Sequence, residues 1–183
     1  MTRDEALNLV RDRISNKNLI KHILAVEAVM RRLARHFGED EDRWGLAGLL
    51  HDIDYEETKD DPRSHSMVGG DLIEQMGVES EIVQAVRAHN EIHGLPRETR
   101  MAKALYCSDP LTGLIVAAAL ISPEKKLENI DTKFVLNRFG EKSFARGANR
   151  NTIMACSDLG LTLEEFISLG LEAMKGIHDE LGL

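Results

Sequence analysis

The sequence predicts an all-α fold, and three observations carry the prediction. Apolar residues recur at intervals of three and four, no stretch alternates cleanly enough to compete as a strand, and Gly and Pro fall between the periodic segments. Leu7, Val10 and Ile14 mark a short first helix. A longer one covers about residues 18–37 and stops at Gly38. It carries His22, Val26, Val29 and Leu33 on one stripe, with Arg31, Arg32 and Arg35 turned away. A third begins near the acidic run EDEDR and holds Leu46, Leu49, Leu50 and Ile53, with His51 and Asp52 near its end. The fourth is expected from Asp61, a capping residue followed by Pro62 at the first helical position, to Gly77. His65, Val68, Leu72 and Met76 would share its face. A fifth gathers Ile82, Val86, His89 and His93 and ends at Gly94 and Pro96. The sixth runs from about Glu98 with Ala102, Leu105 and Asp109 on one side; Pro110 either kinks it or opens a seventh that reaches Ile121. Beyond the polar EKKLEN connection, helices are expected around residues 134–139 and 143–157. A last one opens at Thr162, which has capping-box spacing to Glu165.

Length and composition bound the rest. A chain of 183 residues suits one domain, 1–183, and neither a repeat nor a long linker divides it. Hydrophobic residues at 43% and charged residues at 30% give a globular balance. The formal charge of −8 argues against long nucleic acid as a partner, and a small anionic substrate would need local help. Cys107 and Cys156 lie far apart, so neither a disulfide framework nor a thiolate zinc site is expected, and a cytoplasmic setting fits. The first residues lack an apolar signal core, and the longest apolar run, 114–121, is far below the ~20 residues that span a bilayer, so no membrane partner is expected.

Residues able to bind metals fall on the core-facing stripes of five successive helices: His22, His51 with Asp52, His65, His89 and Asp109. One such histidine alone is more often a hydrogen-bonded core residue. Six together differ, because burying four imidazoles and two carboxylates without a cation leaves polar groups to be paired, at ~1–3 kcal/mol for each one unsatisfied. Imidazole and carboxylate without thiolate suit Mn, Fe, Co, Ni or Zn, and six protein ligands exceed what one open catalytic site takes, which points to two ions. Asp52, beside His51, could give one oxygen to each. Between ions ~3.5–4 Å apart, water loses a proton near neutral pH and a phosphoryl group is polarised. Hydrolysis of a phosphate ester or anhydride is the expected reaction, with His51 and Asp52 at its centre.

The pattern H…HD…D, realised as His22, His51, Asp52 and Asp109, resembles the HD superfamily of metal-dependent phosphohydrolases. With His65 and His89 inserted, the chain is similar to the binuclear branch. GLLHDID resembles the HDIG-type signature, HSMVGG the H-x-x-x-G element, and YCSDPLTGL the closing A-D-x-L-x-G-L segment. The resemblance covers about residues 18–121. It implies an HD-type helical core in which those six residues ligate metal, with additional C-terminal helices over 122–183. Two departures stand out. Where HDIG-type members usually read HDIGK, this chain reads HDIDY, so Asp54 replaces the glycine and Tyr55 the phosphate-side lysine. A tyrosine donates a hydrogen bond but brings no charge. AHNEIHGLP is only faintly similar to the HHE…GYP segment of cyclic-di-GMP phosphodiesterases and does not imply that substrate.

Without that lysine, a phosphate would need other cations. Lys142, Arg146 and Arg150 stand at i, i+4 and i+8 on the helix expected there and could hold phosphate, although a solvated helix face explains them equally. Lys103 and Arg63 are further candidates. His93 could face the pocket, or simply meet the last carbonyls of its helix. Arg146, Arg150, Lys103 and His93 thus form the expected substrate-binding set, acting on a nucleotide or other small phosphorylated metabolite. The resemblance also leaves two alternatives: an HD-type di-iron oxygenase acting on a small phosphonate or polyol, and a metal-stabilised module without turnover. A homodimer is a possible assembly.

Overall fold

The computed structural model describes residues 1–141 and 143–183; Lys142 of the expected basic stripe lies outside the described residues. Helix α1 (Arg3–Arg13) opens on a capping box between Thr2 and Glu5 and buries Ala6, Leu7 and Val10. Asn16 caps α2 (Lys17–Phe37), and Gly38 closes it at φ 70°, a left-handed conformation that glycine adopts without strain. Asp40 caps α3 (Glu41–Leu50). Helices α2 and α3 cross closely because Gly48 carries no side chain: a Cβ there would lie 2.9 Å from the Glu27 backbone. After the single turn of α4 (Tyr55–Thr58) come α5 (Met67–Gln75) and α6 (Ser80–His89).

The axis of the fold is α7 (Arg100–Ile121). It packs on α2, α3 and α6 along one side, and on α8 (Thr132–Gly140), α9 (Arg150–Met154) and α10 (Leu163–Lys175) along the other. Leu105, Leu111, Leu114 and Ile115 of α7 are fully buried, each contributing ~1.5–3 kcal/mol of apolar transfer. Among the described helices α7 alone has the length and apolarity of a membrane span, but 56% of its most apolar window is buried against the rest of the fold, as befits a core helix. The chain ends on α11 (His178–Leu181). Every regular element among the described residues is helical, as the apolar periodicity predicts.

Three elements differ from expectation. The fourth helix starts at Met67, not near Pro62: Asp61 is used in a turn, accepting from the Arg63 N–H and the Ser64 hydroxyl, and Ser66 sits at φ 71°, which breaks a helix. His65 therefore lies in a turn, and Val68 and Met76 are exposed rather than on a core face. Helix α6 ends at His89, so His93 belongs to a separate 3-10 turn, Glu91–His93, capped by Asn90. Of the two outcomes expected at Pro110, a seventh helix is not the one found: Pro110 sits inside α7, which runs on to Ile121, and leaves the Tyr106 carbonyl without its usual intrahelical donor. Finally, the helix expected over 143–157 begins only at Arg150 and passes into the 3-10 turn Ala155–Leu159, because Ala145 adopts φ 43°. Arg146 and Arg150 consequently share no helical stripe.

Candidate metal centre

Five segments bring the six predicted ligands to one point. His22 comes from the second turn of α2, His51 and Asp52 from the end of α3, His65 from the turn before α5, His89 from the last residue of α6 and Asp109 from the middle of α7. The buried Asp52 carboxylate lies at the centre and divides the donors into two sets. Its Oδ2 is 3.4 Å from His51 Nε2 and 3.7 Å from His22 Nε2, and His22 Nε2 is 3.1 Å from Asp109 Oδ1. Its Oδ1 is 3.4 Å from His65 Nε2 and 3.6 Å from His89 Nε2. Donors ~2.1 Å from a shared ion stand roughly 3.0–3.4 Å apart in octahedral or tetrahedral geometry. The ligand atoms of His22, His51 and Asp109 lie within 4.8 Å of one another, as do those of His51, Asp52 and His89, while His65 joins the second set through its approach to Asp52 Oδ1.

The outer ring nitrogens fix which lone pairs face inward. His51 Nδ1–H donates to the Gly48 carbonyl at 2.7 Å, and His89 Nδ1–H to the Val86 carbonyl at 2.6 Å. His65 Nδ1–H donates to Asp54 Oδ1 at 3.0 Å. The Thr112 hydroxyl donates to the Asp109 carbonyl and so accepts from His22 Nδ1 at 3.1 Å. All four imidazoles therefore hold Nε2 toward Asp52, the arrangement that outer partners impose on metal-ligating histidines.

The electrostatics favour ligation at His51, Asp52 and Asp109, while His22 and His89 pair with the carboxylates. Burial pushes the His51 imidazole down to about 4, so it is neutral at pH 7 and offers a lone pair. Burial acts to raise the Asp52 carboxyl, but the surrounding His51, His89 and His22 imidazoles outweigh it and hold it far below the usual carboxylate range. Asp109, likewise opposed by burial, is lowered by its hydrogen bond to His22. For His22 and His89 burial acts downward, and the hydrogen-bonded Asp109 and Asp52 respectively prevail and raise them. Two ionised carboxylates with four inward imidazole nitrogens form a donor set suited to cations of the first transition series.

A cleft of about 230 Å³ adjoins the centre, lined among others by His65, His89, Glu91, Tyr106, Asp109 and Thr152. No Lys or Arg of the described residues lines it. Of the expected substrate-binding set, Arg150 is corrected: its guanidinium donates to the carbonyls of Phe139, Phe144, Ala145 and Ala148, and so fastens the backbone before α9. His93 is spent similarly, its Nε2–H donating to the His65 carbonyl at 2.8 Å. Arg146 is exposed, and neither it nor Lys103 reaches the cleft wall. Tyr55, standing where the family carries lysine, sets its ring edge-on to His65 at 5.2 Å between centroids.

Sequence reasoning missed four partners, two side chains and two backbone carbonyls. Asp54 is recognised there only as a departure from glycine, and Thr112, at i+3 from Asp109, gives a signal only if α7 continues through Pro110. The Gly48 and Val86 carbonyls, as backbone, give none. Arg97, also overlooked, stacks its guanidinium 3.7 Å from the Tyr106 ring centroid.

Comparison with known proteins bears on the same region. The family model described as HD domain matches residues 19–128. Ribonuclease Y of Lawsonia intracellularis is 29% identical over 174 residues, covering 83% of this chain and 32% of that protein. Ribonuclease Y of Oleidesulfovibrio alaskensis is 30% identical over 119 residues, 63% of this chain and 22% of that one. Ribonuclease Y of Fusobacterium nucleatum is 28% identical over 171 residues, 90% of this chain and 33% of that one. The chain thus spans about a third or less of the length of these curated relatives. No solved structure matches significantly.

Proposed function

Because the chain belongs to the HD-domain family, we propose that it is a metal-dependent phosphohydrolase that cleaves a phosphate ester or anhydride of a nucleotide or other small phosphorylated metabolite. The observation that carries this reading is the convergence of four imidazole Nε2 atoms on the two oxygens of one buried carboxylate, Asp52. His22, His51, Asp109 and Asp52 Oδ2 would hold one divalent ion; His65, His89 and Asp52 Oδ1 would hold a second. Such ions, when bound, lower the pKa of water toward neutrality and polarise a phosphoryl oxygen. The chain's own part is to keep Asp52 ionised between the two positions, to hold each histidine in its ligating tautomer, and to present a small polar cleft beside them. With no lysine or arginine among the described residues of that cleft wall, the substrate's charge would be balanced mainly at the ions, which favours small phosphates of modest charge.

A second reading, hydrolysis within RNA, is supported by the relatives named Ribonuclease Y. The net charge of −8 and the small cleft restrict that reading to short strands or strand ends. Protein reconstituted with manganese or cobalt should release phosphate or alcohol from a panel of nucleotides, generic esters and short oligoribonucleotides, and His51→Ala should abolish the release. Absence of any hydrolysis in fully metal-loaded protein contradicts both readings, and oxygen uptake by the iron-loaded form would replace them with an oxygenase.

A further inference from the structure

We propose that Asp54 is a positioning residue that fixes His65 for the second ion, an assignment resting on the two-ion reading above. Asp54 precedes the short α4 but makes no capping hydrogen bond with its side chain, so helix capping does not explain it. It is 1% exposed, and both carboxylate oxygens are used elsewhere. Oδ1 accepts from His65 Nδ1–H at 3.0 Å, and Oδ2 accepts from the Gly69 N–H at 2.8 Å. Gly69 admits this approach: a Cβ there would lie 3.1 Å from the Asp54 carboxyl carbon and 3.0 Å from Ile53 Cγ2.

Two contrasts give the carboxylate its meaning. The other three histidines rest on neutral partners, the Gly48 and Val86 carbonyls and the Thr112 hydroxyl, so His65 alone is backed by a charge. A carboxylate behind an imidazole fixes the ring and raises its strength as a ligand. The second contrast is in support. His65 stands outside any helix, beside Ser66 at φ 71°, so no helical ladder orients its ring. Its half of the centre also offers three protein donors against four in the other. Asp54 supplies both missing elements, joining the turn to α5 through Gly69 and adding negative charge behind the poorer donor set. Aspartate where HDIG-type chains have glycine is thus a working part of this centre.

The experiment is a Mn(II) titration of metal-free wild type and Asp54→Asn, counting bound ions by equilibrium dialysis, with thermal melting of the metal-free proteins alongside. Asparagine preserves shape and can still accept from Gly69 while removing the charge. Two ions are expected in wild type. In the variant the second ion should bind ~10–100-fold more weakly, with the first within about threefold of wild type. Asp54→Gly, which restores the family residue, should lose the same ion. Equal binding of both ions by wild type and Asp54→Asn overturns the assignment. So does equal weakening of both with a lowered melting temperature, which marks a merely structural role. Wild type that binds fewer than two ions contradicts the two-ion reading itself, and the assignment falls with it.

Discussion

The two halves of the centre are built differently. Around Asp52 Oδ2, the donors His22 and Asp109 stand within long helices and His51 at a helix end, with outer partners fixed by backbone or by the neighbouring turn of α7. Around Asp52 Oδ1, His89 ends a helix and His65 occupies a turn tied down by side chains: Asp54 on its ring, Asn90 and His93 on its carbonyl. Helical packing preorganises the first half; a hydrogen-bond network preorganises the second. A site that must hold one part firmly and leave another accessible to substrate can divide the work in this way.

Removing the shared member should erase the contrast. Asp52→Ala is expected to lose both ions and to lower any metal-dependent hydrolysis by ~10³-fold or more, the scale on which losing one member of a catalytic unit acts; elemental analysis and kinetics check it. Thr112→Val should separate the halves, since it keeps volume but takes away the hydroxyl that accepts from His22. Affinity for the ion at the Oδ2 half should fall ~10–100-fold while the other is retained, the reverse of the Asp54→Asn pattern. Gly48→Ala tests helical preorganisation directly: its Cβ would press on the Glu27 backbone, costing about 1–3 kcal/mol. In a chain of this size that lowers Tm by roughly 2–4 °C for each kcal/mol, with the weakening of metal binding concentrated at the half that contains His51.

Smaller effects sharpen the same division. Uptake at both halves should weaken as pH falls, because His22 and His89, both raised, take up protons at higher pH than a free imidazole and so compete with the ions. Calorimetric titration in buffers of different ionisation enthalpy reads the released protons. Arg146→Ala, on an exposed side chain, should leave stability within about 0.5 kcal/mol and KM unchanged. A raised KM there would return the basic stripe to the substrate site.

The helix-borne half was the more legible from sequence, for a physical reason. Period 3.6 places His22 with Val26 and Asp109 with Leu105, and it survives because α2 and α7 are long and buried. Period failed where side chains compete with the helix for the backbone. Asp61, Ser64 and Ser66 make a turn where a cap and a proline signal a helix, so His65 reaches the centre by a different route from the one its spacing suggests. The basic stripe failed similarly, because Arg150 finds carbonyls of its own loop before any substrate. The Gly48–Glu27 approach and the carbonyls behind His51 and His89 are long-range packing and backbone geometry, which no local pattern encodes.

The most direct measurement is anomalous scattering from crystals equilibrated with manganese. Two peaks ~3.5–4 Å apart, one near each oxygen of Asp52, are predicted. A single peak, peaks away from His22, His51, His65, His89 and Asp109, or none at all would contradict the binuclear centre.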